Sequence, residues 1–406
     1  MIKFIFNKFF YGILVLLGVV FVIFALFNIL PVDPARLTLG QRADVESVEA
    51  INKELGLDKP KIVQFSLYLN DLSPIALHDN DEKTKEKYGY LKLIPFGEKA
   101  MVLKAPYLRR SYQTKKEVAK ILQEALPQTI ILAFSAMIFA SVIGIFLGVI
   151  AAVKQHSWFD NLAMSVSVLG ISVPSYFSAI LLGYFFGIVL HKYTGLDQTG
   201  GLTYIDDYGN KVLAFRNLIL PAIALGSRPI GIIFQLTRSA MLDVLSQDFI
   251  RTARAKGLSN ITVLFKHALR NALNPVITTV SGWFASLLAG AFFVEVIFDI
   301  KGLGYTAVDA LQKFDFPVAM GTVLFTASVF IVVNFLVDIL YMKDLNAIYD
   351  FKNGDFIIKQ LDFILKNKTK ELIKQKLNRN ISIKTKNTHA DVFEIYLFDD
   401  LSIEEI

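Results

Sequence analysis

An all-α integral membrane protein is the fold class this sequence predicts, on three observations. Hydrophobic residues fill 54% of the 406 positions and charged residues only 19%, with mean hydropathy +0.48, well off the balance of a soluble domain. Several windows reach the roughly 20 apolar residues that a helix needs to cross about 30 Å of hydrocarbon. Lys and Arg are shared unevenly among the loops between those windows, which gives the spans a direction.

The predicted spans lie near 9–30, 127–153, 162–190, 217–236, 276–298 and 318–341. Their count is six, so both termini are expected on one side. The loop after the fourth span holds Arg238, Arg251, Arg254, Lys256, Lys266 and Arg270 against Asp243 and Asp248, and Lys154 follows the second span. These basic loops are read as cytoplasmic, which puts both termini there too. Lys3 and Lys8 precede the first apolar run like a signal peptide, but the run is long and lacks an A-x-A-like site, so a permanent anchor is expected.

The chain divides accordingly into a first helix at 1–30, an extracytoplasmic insertion at 31–126, a core at 127–341 and a tail at 342–406. Pro31 and Pro34 break the first helix. Val45, Val48, Ile51 and Leu55 have the spacing of an amphipathic helix over 44–55, closed by Gly56 and Pro60. Residues 78–99 read as charged and loose, but apolar runs return at 91–103, so a small folded extracytoplasmic subdomain is expected rather than disorder throughout. A hairpin or tight turn is expected in 191–216, around Asp206-Asp207-Tyr208-Gly209-Asn210. The loop at 299–317, with Gly302 and Gly304, is expected to dip into the membrane surface. In the tail, 355–377 shows helical periodicity.

Several chemistries are excluded. No G-x-x-x-x-G-K-[ST] run is present to cradle a nucleotide phosphate, nor H-E-x-x-H, nor G-x-S-x-G. No catalytic, cofactor or metal site is therefore expected, and the absence of Cys removes disulfides and thiolate ligands. The net charge of +6 is explained by orientation and a Lys-rich tail, without nucleic acid.

Two charges inside predicted spans stand out. Arg228 in the fourth span, beside Gly226 and Pro229, carries an insertion cost of about 2.5–3.5 kcal/mol at the bilayer centre, so it should face protein or a hydrated path. Glu295, near the outer end of the fifth span, raises the same alternatives. Either residue is a candidate for the translocation path, the rival role being structural. Gly144 and Gly148 form a small-xxx-small pattern whose default role is helix packing. Pro174 and Pro221 are candidate kinks.

The basic loop, 237–275, is the most informative stretch. It reads Asp248-Phe249-Ile250-Arg251-Thr252-Ala253-Arg254-Ala255-Lys256-Gly257-Leu258, followed by Lys266-His267-Ala268-Leu269-Arg270-Asn271-Ala272-Leu273. Its small residues leave one side of a helix low enough for another protein to approach. The wording resembles the EAA loop of ABC importer permeases of the dipeptide/oligopeptide/nickel group. Arg251, Thr252 and Ala253 stand at the Glu-Ala-Ala positions, Gly257 is the loop glycine, and His267, Leu269 and Arg270 map onto its Ile-x-Leu-Pro element. Further pieces follow in the family's order: Leu220-Pro221-Ala222, Leu236-Thr237-Arg238-Ser239, Val294-Glu295-Val296-Ile297-Phe298 with Gly302-Leu303-Gly304, and Asp315-Phe316-Pro317-Val318. The agreement stops after Tyr341.

The resemblance implies a membrane-embedded permease subunit for dipeptides or oligopeptides in the bacterial cytoplasmic membrane, with nickel or other small solutes as the alternative. It implies a second homologous permease, two cytosolic ATPase subunits that bind and hydrolyse ATP, and an extracytoplasmic solute-binding protein. Arg251, Thr252, Ala253, Arg254, Ala255, Lys256, Gly257 and Leu258 would form the coupling interface with an ATPase. An ion-coupled secondary transporter is a rival, but it would predict internal repeats, and none is evident. A receptor signalling through the tail is a second.

Overall fold

The computed structural model describes residues 2–29, 58–205, 208, 209, 211–348, 383–385 and 393–395. The chain divides into two units, Met1–Val337 and Asp338–Ile406. In the second, Ile383–Thr385 and Phe393–Ile395 form an antiparallel pair. The helical periodicities expected over 44–55 and 355–377 lie outside the described residues.

Unit one is mostly helical. Helix α1 spans Ile2–Ile29. The insertion then gives α2 (Lys61–Leu72), β1 (Ile75–Asp79), α3 (Glu82–Tyr88), β2 (Leu91–Phe96) and β3 (Lys99–Leu103). The core follows with α4 (Val118–Val153), α5 (Trp158–Ser172), α6 (Ser175–Tyr184), β4 (Thr203–Ile205), β5 (Lys211–Leu213) and α7 (Phe215–Leu245). It continues as α8 (Asp248–Ala255), α9 (Arg270–Gly290), α10 (Phe292–Ile297), α11 (Leu303–Gln312) and the part of α12 (Phe316–Ile348) up to Val337.

Among the described residues four helices are long and apolar enough to cross a membrane: Phe6–Phe27, Val118–Val153, Phe215–Leu245 and Phe316–Val337. A fifth arises if α5 and the helix Ser175–Val189 form one span, bent by 107°. Pro174, at that break, cannot donate a backbone hydrogen bond, so the expected kink is realised. Pro221 and Pro229, by contrast, lie inside a continuous α7. The segment expected as the fifth span, 276–298, is helical as α9 and α10.

Packing at the centre is governed by small residues. A Cβ on Gly144 would lie 2.9 Å from Ile233 Cγ2, and one on Gly148 would lie 2.7 Å from Thr237 Cβ. The expected small-xxx-small pair thus lets α4 and α7 approach closely. Leu132, Ala136 and Ala140 of α4 meet Leu225 and Ile233 of α7, with Leu288 of α9 and Val294 of α10, in one buried cluster. Large apolar side chains such as Phe9, Phe21, Phe134 and Phe146 point outward, as a hydrocarbon solvent permits and water would not.

The insertion corrects the all-α expectation. Residues 78–99, read as loose, contain α3, all of β2 and one end each of β1 and β3 in a three-stranded antiparallel sheet of order β1-β3-β2. Asp81 caps α3, accepting from the Thr84 amide at 3.3 Å, and Gly89 closes it in the left-handed region. Ala100 and Val102 of central β3 are fully buried, while β2 is an edge strand that tolerates Pro95. Asp71 ties the subdomain together. Its carboxylate accepts from Tyr88 Oη and Arg109 Nε, both at 3.0 Å, and its carbonyl accepts from Lys104 Nζ and the Tyr107 amide. Phe65 and Tyr68 of α2 pack on Phe24 of α1, which seats the subdomain against the first span. The expected hairpin in 191–216 is present as β4 and β5.

Candidate coupling and translocation sites

Helix α8 rests on the core by one narrow face. Ile250 is fully buried and Ala253 nearly so, three residues apart as one helical face requires. They join Met241 and Val244 of α7, Val149 of α4, and Val263, Ala268 and Ala272 in an apolar cluster. Arg251, Thr252, Arg254, Ala255 and Lys256 are exposed. Asp248 in the first turn and Arg254 in the last match the helix dipole. The Arg251–Asp248 pair at 3.4 Å is solvent-exposed and adds little.

The end of α8 is a backbone device. The Leu258 amide donates to the Ala253 carbonyl at 3.4 Å and the Gly257 amide to Arg254 at 2.9 Å, the two bonds of a Schellman motif. Gly257 has φ +76°, and a Cβ there would meet nothing within 4 Å. The requirement for glycine within this chain is therefore conformational. Ser259 then caps the next turn through Thr262. The eight residues expected to form one interface thus divide, with Ala253 turned into the core and the other seven on the outer surface.

Arg238, expected in the loop, lies instead inside α7, because that helix runs on to Leu245. Its guanidinium donates twice to Asp160 of α5, from Nε at 2.6 Å and from Nη2 at 2.7 Å. Asp160 is almost wholly buried and also accepts from the His156 amide at 2.9 Å. Sequence reasoning missed this pair. The available signal was weaker, two opposite charges each lying two residues outside a predicted apolar span.

The two path candidates diverge. Arg228 is exposed on α7 and has no ion-pair or hydrogen-bond partner among the described residues. The neighbouring Gly226 and Pro229 are buried rather than marking an opening, and a Cβ on Gly226 would lie 2.9 Å from the Ala136 carbonyl oxygen. Glu295 is fully buried. Its carboxylate accepts from Thr129 Oγ1 of α4 at 2.7 Å and from the Tyr305 amide at 3.0 Å, while Thr129 Oγ1 accepts from the Leu303 amide at 2.8 Å. Those amides open α11, so an acid placed at a helix N-terminus supplies acceptors for its free donors. A Cβ on Gly302 would sit 2.5 Å from the Glu295 carboxyl carbon, which explains the glycine there. In this conformation Glu295 is a structural staple with no surface left for a solute.

A second carboxylate, just before α12, accepts from the insertion instead. Asp315 accepts from Ser111 Oγ at 2.5 Å and from the Tyr112 amide at 3.0 Å, tying the end of the insertion to the core.

Comparison with known proteins agrees with this architecture. The family model described as "Binding-protein-dependent transport system inner membrane component" matches residues 144–342, and its N-terminal companion matches 1–133. A putative peptide transport system permease protein of Brucella abortus (strain 2308) is 39% identical over 338 residues, covering 83% of this chain and 96% of the relative. Dipeptide transport system permease proteins DppB of Alkalihalophilus pseudofirmus and Escherichia coli (strain K12) are each 34% identical, covering 80% and 84% of this chain and 93% and 97% of their own lengths. With α8 displayed on a bundle of apolar spans, the chain belongs to the family of inner membrane components of binding-protein-dependent transport systems, the permease subunits whose ATP hydrolysis is done by separate subunits.

Proposed function

We propose that the chain is the permease subunit of an importer for dipeptides or oligopeptides, with α8 as the coupling helix that an ATPase subunit grips. The relatives named above are dipeptide or peptide permeases, which supports the solute class. The observation that carries the coupling role is the division of α8 into a core-facing pair, Ile250 and Ala253, and an outward cationic surface closed by Gly257. A helix held this way moves with α7 and α9, so a push on it becomes a rigid-body motion of those spans. Six spans, with α9 and α10 making the fifth, put both termini and α8 in the cytoplasm and the α2–β3 subdomain outside. There the subdomain faces a solute-binding protein, while a second homologous permease completes the path and Arg228 borders it. The exposed, unpaired Arg228 supports that last placement.

Replacement of Gly257 tests the coupling role in the reconstituted importer. Gly257→Asn accepts the left-handed backbone and should transport nearly as wild type. Gly257→Trp adds bulk on the outer face and should keep basal ATP hydrolysis while losing peptide transport. Full transport by Gly257→Trp would remove the coupling role, and equal loss in Gly257→Asn would reduce the glycine to backbone geometry.

A further inference from the structure

A groove of about 570 Å³ lies between α4 and the segment that follows α8. It is lined by Ile145 and Val149 of α4 and by Leu264 and Phe265, with Ser141 and Lys154 the polar residues of its wall. Lys154 stands where α4 ends, so it marks one end of the groove. From Lys154 to Ser141 the helix rises about 20 Å at 1.5 Å per residue. Half of a hydrocarbon core is about 15 Å, so the groove runs roughly the depth of one leaflet. Lys154, Lys266 and Arg270 are all exposed and form no ion pair among the described residues. The last two directly follow Phe265 and Leu269, which line the groove.

We propose that this groove is a binding site for one acyl chain of an anionic phospholipid, whose phosphate meets Lys154. An apolar wall ending in unneutralised cations fits a molecule with a long alkyl chain and an anionic head. Because Leu264 and Phe265 belong to the segment that seats α8, the bound lipid bridges α4 and that segment.

The test uses the permease purified with its partner subunits, in nanodiscs of phosphatidylcholine mixed with phosphatidylglycerol, and native mass spectrometry of the retained lipid. Wild type should retain phosphatidylglycerol over phosphatidylcholine. Lys154→Glu should lower that retention about fivefold or more, and Lys154→Arg should preserve it. Equal retention of the two lipids, or no loss in Lys154→Glu, would overturn the site. Since the chain has no Cys, Phe146→Cys provides a second measurement from the groove wall. Crosslinking to a photoreactive phosphatidylglycerol supports the proposal, whereas crosslinking only to a neighbouring subunit gives the groove to a helix and overturns it.

Discussion

Two short helices, α8 before α9 and α11 after α10, are held by opposite means. Helix α11 is fastened by buried polar groups, with Glu295 and Thr129 satisfying its first amides and Asp315 gripping the insertion just beyond it. Helix α8 is seated through two apolar side chains, and its other residues face outward. The difference separates a helix locked by directional bonds from one whose polar surface stays exposed, as the proposed coupling role needs. Buried charge-assisted bonds are directional and costly to break, whereas a small apolar seat leaves charges free for a partner.

The largest expected effect comes from the tie that steadies α7 just before α8. Asp160→Ala leaves the Arg238 guanidinium partly buried and unpaired, and should cost about 3–5 kcal/mol in denaturant unfolding of the solubilised protein. The double replacement Asp160→Leu with Arg238→Met should recover most of that loss. Failure to recover it would mean that the pair does more than hold α5 to α7.

Breaking the polar fastening of α11 ranks next. Glu295→Ala orphans the Tyr305 amide and the Thr129 hydroxyl, and should cost about 2–3 kcal/mol. Hydrogen exchange should quicken at Leu303 and Tyr305 while α8 is unchanged. Loss of transport with normal stability and exchange would return Glu295 to the translocation path.

The insertion sharpens the contrast through pH. His78 is buried and stacked on Tyr88 at 4.1 Å. Burial first, then the Lys104 ammonium, lowers its pKa below the ordinary value near 6.5. The unfolded chain therefore binds the proton more readily, so this contribution to stability is present above about pH 6.5 and is lost on acidification below it. Protection of β3 amides from exchange should fall as the pH drops below about 6.5, and His78→Phe should flatten the change. A pH-independent profile in the wild-type protein would contradict it.

Stability should barely notice the outer face of α8. Arg254→Ala is expected to stay within about 0.5 kcal/mol of wild type in the same unfolding assay, because an exposed charge contributes little to the fold. A larger loss would mean that Arg254 holds the fold.

The sequence makes local periodicity legible and distant pairing illegible. The long apolar runs, the break at Pro174, the hairpin at β4 and β5 and the end of α8 at Gly257 all follow from neighbours within a few residues. The sheet in the insertion was hidden because lysines and Pro95 interrupt its alternation and β2 buries none of its side chains. Glu295 was conspicuous as an intramembrane acid, but its answer, Thr129, lies in another helix 166 residues earlier. Asp160 and Arg238, 78 residues apart, escaped for the same reason. Just past α8, the resemblance picked out Gly257 as the loop glycine. The structure adds that it is the left-handed backbone, and not crowding inside the chain, that demands it.

A single cysteine at Thr252 tests the role of α8 most directly, because the chain has no other cysteine and Thr252 lies on the exposed surface of the helix. In the assembled importer, a short thiol crosslinker on Thr252→Cys should join this chain to an ATPase subunit and arrest transport, with transport restored on cleavage of the link. An efficient crosslink from Phe146→Cys to the ATPase, with none from Thr252→Cys, would contradict the assignment of α8 as the coupling helix.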